Sequence, residues 1–184
     1  MKYEVNKRSI CIVIIAAALG LAAAVCIFIY SGFYNVAATS EHWGITKVLM
    51  QITMQRSVAF HAKEVTVPPR PLSPKEGFPD FNEMCVNCHG APGILPGEVG
   101  KGLNPRPPDL AIAAKELSLS ELFWIIKNGI KMTGMPAFGP THTEERLWSI
   151  TAFVKRLPAL PASDYAELKQ SLSTLSHTHG VTGH

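Results

Sequence analysis

An all-α fold is what this sequence predicts: a small domain of three or so helices, preceded by one N-terminal transmembrane helix and an amphipathic helix. Three observations lead there. Ile10 to Tyr30 are 21 consecutive residues without a charge. Apolar side chains recur every three or four positions in three later segments, the spacing of one helix face. Capping residues bracket the last two of those segments, a serine or threonine before each and a glycine or proline after.

The uncharged run, at about 1.5 Å per residue, spans a hydrocarbon core of about 30 Å. Lys7 and Arg8 precede it, so residues 1–9 are expected in the cytoplasm and the rest of the chain outside. Most of the net charge of +3 lies there, because Lys2, Lys7 and Arg8 face only Glu4 in the first nine residues. A cleavable signal peptide is the alternative, with Val36-Ala37-Ala38 as a small-residue cleavage site. Signal cores usually run only about 7–15 residues, so a retained anchor over residues 10–30 is the expectation. Cys11 and Cys26 read as small apolar residues of the span. From residue 31 onward, 14 Lys and Arg stand against 13 Asp and Glu, with no basic stripe for a nucleic acid.

Residues 31–73 join the span to the domain. Ile45, Val48, Leu49, Ile52 and Ala59 recur at helical spacing between Lys47, Gln51, Gln55 and Arg56, which predicts an amphipathic helix over 41–63. Its stripe fits a membrane surface, a partner protein or its own domain, the last being the default. His42 and His61 read as surface histidines. Four prolines between Pro68 and Pro74 favour an extended, semi-rigid linker.

The domain itself covers residues 74–160, small enough for its core to be marginal alone. Its first helix is expected to start near Pro79, since proline suits a first turn. The second is expected over about 118–128, capped by Ser118 or Ser120 and stopped by Gly129, with Leu119, Leu122, Phe123 and Ile126 inward. The third runs from about Thr143 to Leu157. Glu144 and Glu145 suit its positive end, and Lys155 and Arg156 its negative end. Between the first two lies Gly90 to Leu110, a Gly- and Pro-rich loop suited to wrapping a flat cofactor. Residues 161–184 read as a polar, His-containing tail, helical around 165–172 and otherwise disordered. Its His177, His179 and His184 offer at most loose metal contacts.

The chemistry sits at the end of the first helix. Cys85-Val86-Asn87-Cys88-His89 is the attachment signature of a c-type haem. Two thiols three positions apart share one helical turn, where each adds to one vinyl group of the porphyrin. The next residue, His89, then offers its imidazole to iron. Half of a zinc site would need two more ligands nearby, and a thioredoxin-type pair would need a βαβ setting. One covalently bound haem c, held through Cys85 and Cys88, would also supply apolar surface that the small core lacks.

A second strong ligand would close the iron and leave electron transfer as the function. Methionine thioether favours ferrous iron and raises the potential. Only Met132 and Met135 follow the motif, both in the loop between the second and third helices.

At these residues the chain resembles a class I cytochrome c in its bacterial monohaem, membrane-anchored form. The likeness covers about 74–160: Gly77-x-x-x-Phe81 ahead of the Cys85–His89 motif, then Gly134-Met135-Pro136-Ala137-Phe138, then Leu147-Trp148 and Ala152-Phe153. Pro79 departs from the usual helical run between Gly77 and Phe81. The resemblance implies that Met135 is the second axial ligand beside His89, with Met132 as runner-up. It implies that Phe153 packs across Gly77 and Phe81. It also implies that His89 gives its other ring nitrogen to a backbone carbonyl, from Pro105, Pro107 or Pro108. Arg106 or Lys131 is a candidate partner for a haem propionate.

The expected function is then a one-electron carrier, not an enzyme. It is tethered to a bacterial inner membrane with its haem domain in the periplasm, and it serves redox partner proteins of a respiratory chain. One alternative is a cytochrome subunit of a larger respiratory or dehydrogenase complex. Another is an open-site haem peroxidase or gas sensor, for which the domain offers only His142 besides His89 and no distal pair with arginine.

Overall fold

A computed structural model describes residues 6–69 and 72–179. Lys2, Glu4, Arg70, Pro71 and His184, on which parts of the sequence reading fall, lie outside the described residues. Two compact units result, one ending at Ser40 and one beginning at Glu41. Among the described residues all regular structure is helical, as expected.

In the first unit, α1 runs from Lys7 to Tyr30, with the Asn6 side chain accepting from the Arg8 amide at 3.1 Å. With a mean hydropathy of 3.0 over its most apolar window, α1 is long and apolar enough to cross a membrane. Ser31 closes it by donating to the Phe28 carbonyl at 2.8 Å.

The second unit opens with α2 (Gly44–His61), which a short 3-10 turn, Ala62–Glu64, extends. Only its C-terminal end packs inward. Val58 and Ala62 are buried, and the His61 ring stacks on Trp124 at 5.6 Å. The expected stripe is not covered by the domain: Ile45, Val48, Leu49 and Ile52 are 51–64% exposed. Of the described linker residues, Val65 and Leu72 pack against the core.

The haem-motif helix starts earlier than expected. α3 spans Pro74–Asp80, with Pro74 in its first turn and Pro79 inside it. Pro79 has no N–H for the Lys75 carbonyl. Both residues are exposed, so the lost bond lies on the solvent side of the helix. A π-helical turn, Phe81–Cys85, follows directly and leads into α4 (Val86–His89).

The loop beyond holds two helices that the sequence reading missed: α5 (Glu98–Gly102) and α6 (Leu110–Glu116), the latter capped by Asp109. α7 (Leu119–Asn128) carries a full capping box between Ser118 and Glu121 and ends at Gly129. α8 (Glu144–Arg156) is capped by Thr143. Its Lys155 does not serve its own helix end. It donates to the Ala114 and Leu117 carbonyls at 2.7 and 2.6 Å and closes α6.

The core forms where α3 crosses α8. A Cβ on Gly77 would overlap the Ser149 carbonyl, so only glycine permits this approach. Phe153 packs on Phe81 and Phe78, with centroids 5.0 and 5.3 Å apart, and Gly77 meets the α8 backbone at Ser149 and Ile150. Phe123 stacks on Trp148 at 3.9 Å. The tail departs furthest from expectation. It forms α9 (Ala162–His179), and its Tyr165 is fully buried against Phe78 and Phe81.

Candidate cofactor site

Cys85 ends the π turn and is buried; Cys88 and His89 follow on the single turn of α4 and are half-buried. Both cysteines are free thiols. Burial pushes the Cys85 thiol up to about 12, helped by Cys88 and by Asp80 one turn earlier. Arg146 of α8 holds Asp80 through both carboxylate oxygens, the Nε bond being 3.1 Å long.

His89 Nδ1 lies 2.8 Å from the Pro108 carbonyl oxygen. A carbonyl only accepts, so Nδ1 carries the proton and Nε2 keeps its lone pair. Burial lowers the His89 pKa below its ordinary value, opposed by this carbonyl, which favours the charged ring. The imidazole is therefore held neutral with one nitrogen ready for a metal. Of the three prolines left open by the sequence, Pro108 is the one in contact.

The loop after the motif folds back to brace it. Gly90 ends α4 with φ +72, and Ala91 and Ile94 close a tight turn through paired backbone bonds of 2.9 and 2.8 Å. The Gly97 amide donates to the Asn87 carbonyl at 2.9 Å. Gly100 lies so close to the Cys88 carbonyl that a Cβ there would overlap it.

The methionine loop is braced as tightly. Gly129 ends α7 with φ +65, and a Cβ there would come 2.7 Å from the Met135 carbonyl oxygen. The Met135 amide donates to Thr133 Oγ1 at 3.1 Å, and that hydroxyl donates to the Ile130 carbonyl at 2.8 Å. The Phe138 and Gly139 amides tie the loop to the Ile126 and Lys127 carbonyls. Met135 is half-buried against the core that includes Cys85, whereas Met132 is 89% exposed. Leu103 touches Gly134, so the stretch that reaches the methionine loop at residue 103 also supplies the His89 partner at residue 108.

Other expected residues take lesser places. Arg106 and Lys131 are exposed. His142 is bonded to Thr141 Oγ1 at 2.8 Å and lies edge-on to Phe138. Among the described residues there is no group of three or more His, Cys, Asp or Glu placed to hold a metal ion. Sequence reasoning missed Tyr165, whose hydroxyl donates to Asn82 Oδ1 at 2.9 Å, three residues before Cys85. A lone aromatic in a polar tail gives no periodic signal.

The family model described as cytochrome C oxidase, cbb3-type, subunit III matches residues 73–154. That stretch is a monohaem c-type cytochrome domain. The match ends within α8, so α1, α2 and α9 lie outside it. No curated protein matches the chain. A c-type cytochrome domain carries covalently bound haem c and serves haem-based electron transfer. The residues present fit such a group: two free thiols three positions apart, an imidazole whose Nδ1 is held by a carbonyl, and a half-buried thioether in a braced loop.

Proposed function

We propose that this chain is a membrane-tethered one-electron carrier with one haem c. Thioether bonds from Cys85 and Cys88 would hold the haem, with His89 and Met135 as axial ligands. The observation that carries the reading is the Cys85–His89 turn with His89 Nδ1 fixed on the Pro108 carbonyl. Bound there, haem supplies a one-electron ferric/ferrous couple whose potential methionine ligation raises. The chain's own residues set its conditions. The Pro108 carbonyl fixes the His89 tautomer, Gly129 and Thr133 shape the loop that presents Met135, and the aromatic core excludes water. Rigid ligands mean little rearrangement when the charge changes. α1 would anchor the domain on the outer face of the membrane, near its electron donor or acceptor.

The test is a visible spectrum of the purified protein, oxidised and reduced, with and without carbon monoxide. A low-spin spectrum indifferent to carbon monoxide is expected. A clear carbon monoxide shift would instead favour an open-site enzyme or sensor. A second reading, a subunit of a larger oxidase, is favoured by the description of the matching family. Recovery of a stable complex in mild detergent would support it over a free carrier.

A further inference from the structure

We infer that the exposed face of the first turns of α2 is a membrane-surface element that lies on anionic lipid headgroups. Ile45, Val48, Leu49 and Ile52 fall within an arc of about 100° at 3.6 residues per turn, and all four are exposed. Val58, two turns further on, is 4% exposed against the domain, so the helix is divided into a docked end and an apolar free end. Phe60 adds a further exposed ring at 62%.

Charge selects lipid over a protein groove. α2 has no acidic residue, and Arg56 falls within the same arc, whereas Lys47, about 200° round the helix from Ile45, lies on the other side. Long basic side chains lay their stems along apolar surface while their heads reach phosphates, which suits a helix lying in the interface. Chain length supports the same occupant. Fourteen Cα–Cα steps lead from Tyr30 to Gly44, so at no more than about 3.6 Å each the start of α2 stays within about 50 Å of the end of α1. The inference rests on the tether proposed above, since α1 is what would keep α2 beside a bilayer. Its consequence is functional: docking α2 would fix the cytochrome domain's height and orientation over the membrane, because the C-terminal end of α2 is packed on α7.

The test uses the haem-loaded full chain in phosphatidylcholine and phosphatidylglycerol vesicles, with Leu49→p-benzoylphenylalanine as a photo-crosslinker. Ile112→p-benzoylphenylalanine is the control, at an exposed apolar site on α6. Irradiation should give a lipid-mass adduct on the α2 peptide at least about fivefold above that at residue 112. Flotation after an alkaline wash reads the tether separately. Protein that floats without a Leu49 lipid adduct, or with an adduct to a second copy of the chain, overturns the α2 inference and leaves the tether standing. Protein that does not float overturns the tether and this inference with it.

Discussion

Tyr165 separates two accounts of the C-terminal segment, one a solvated tail and the other a helix that completes the core. Its ring is fully buried, edge-on to Phe78 at 5.4 Å and to Phe81 at 6.3 Å. Removing the ring leaves a hole where α3 and α9 meet, and large aromatic truncations of this kind cost about 3–5 kcal/mol. For a chain of this size about 1 kcal/mol lowers Tm by roughly 2–4 °C, so Tyr165→Ala should lose about 10 °C. Tyr165→Phe keeps the ring and loses only the 2.9 Å bond to Asn82, worth about 1 kcal/mol. The phenol adds a pH signature. Burial pushes it up to about 12 from an ordinary value of 10.0. The unfolded chain therefore loses that proton first, and stability falls as pH rises from about 10 toward 12. The Phe variant should lack this component. Circular dichroism melts of the holoprotein at neutral and alkaline pH read both effects. A Tyr165→Ala protein melting with the wild type would refute the docked α9.

Met135→Ala should lower the reduction potential on the order of 0.1 V, within the ~0.8 V that axial ligands span, and should admit carbon monoxide. Met132→Ala, at an exposed position, should change neither; equal effects would sink the ligand assignment. Gly129→Ala forces a Cβ against the Met135 carbonyl at a positive φ. It should raise the carbon-monoxide-reactive fraction while redox titration still reports a bound haem. Gly77→Ala drives α3 and α8 apart, at a cost of about 1–3 kcal/mol or more in a denaturant titration.

What was legible in the sequence was what short-range chemistry determines. The Ser118 and Thr143 caps, the Gly129 stop and the inward stripe of α7 all follow from local spacing, and the structure has them. The attachment motif is legible because thioether formation and iron ligation need those residues in one turn. What stayed hidden depends on partners distant in sequence. Lys155 reads as a charge suited to its own helix end, yet its ammonium closes α6 from 38 residues away. Pro79 reads as a helix start because its cost depends on exposure, which the sequence does not display. Asp109 before a short apolar run was the available signal for α6, masked by the prolines that precede it.

The stretch from Leu103 to Pro108 is where the two halves of the proposed ligand set meet. Leu103 presses on Gly134, the residue before Met135, and the Pro108 carbonyl holds the proton of His89. Neither contact uses a charged side chain, and one end is backbone, so side-chain chemistry alone does not reveal the coupling. A shift of this stretch would disturb both proposed ligands together. Leu103→Ala therefore tests whether they act as a unit. Loss of the packing against Gly134 should loosen the methionine side and show as greater carbon monoxide access. If the stretch is a single brace, the same variant should also perturb the imidazole, seen as a shift in the pH at which the proximal ligand detaches on acidification. A variant that opens the methionine side and leaves that acid transition unmoved would mean two independent braces.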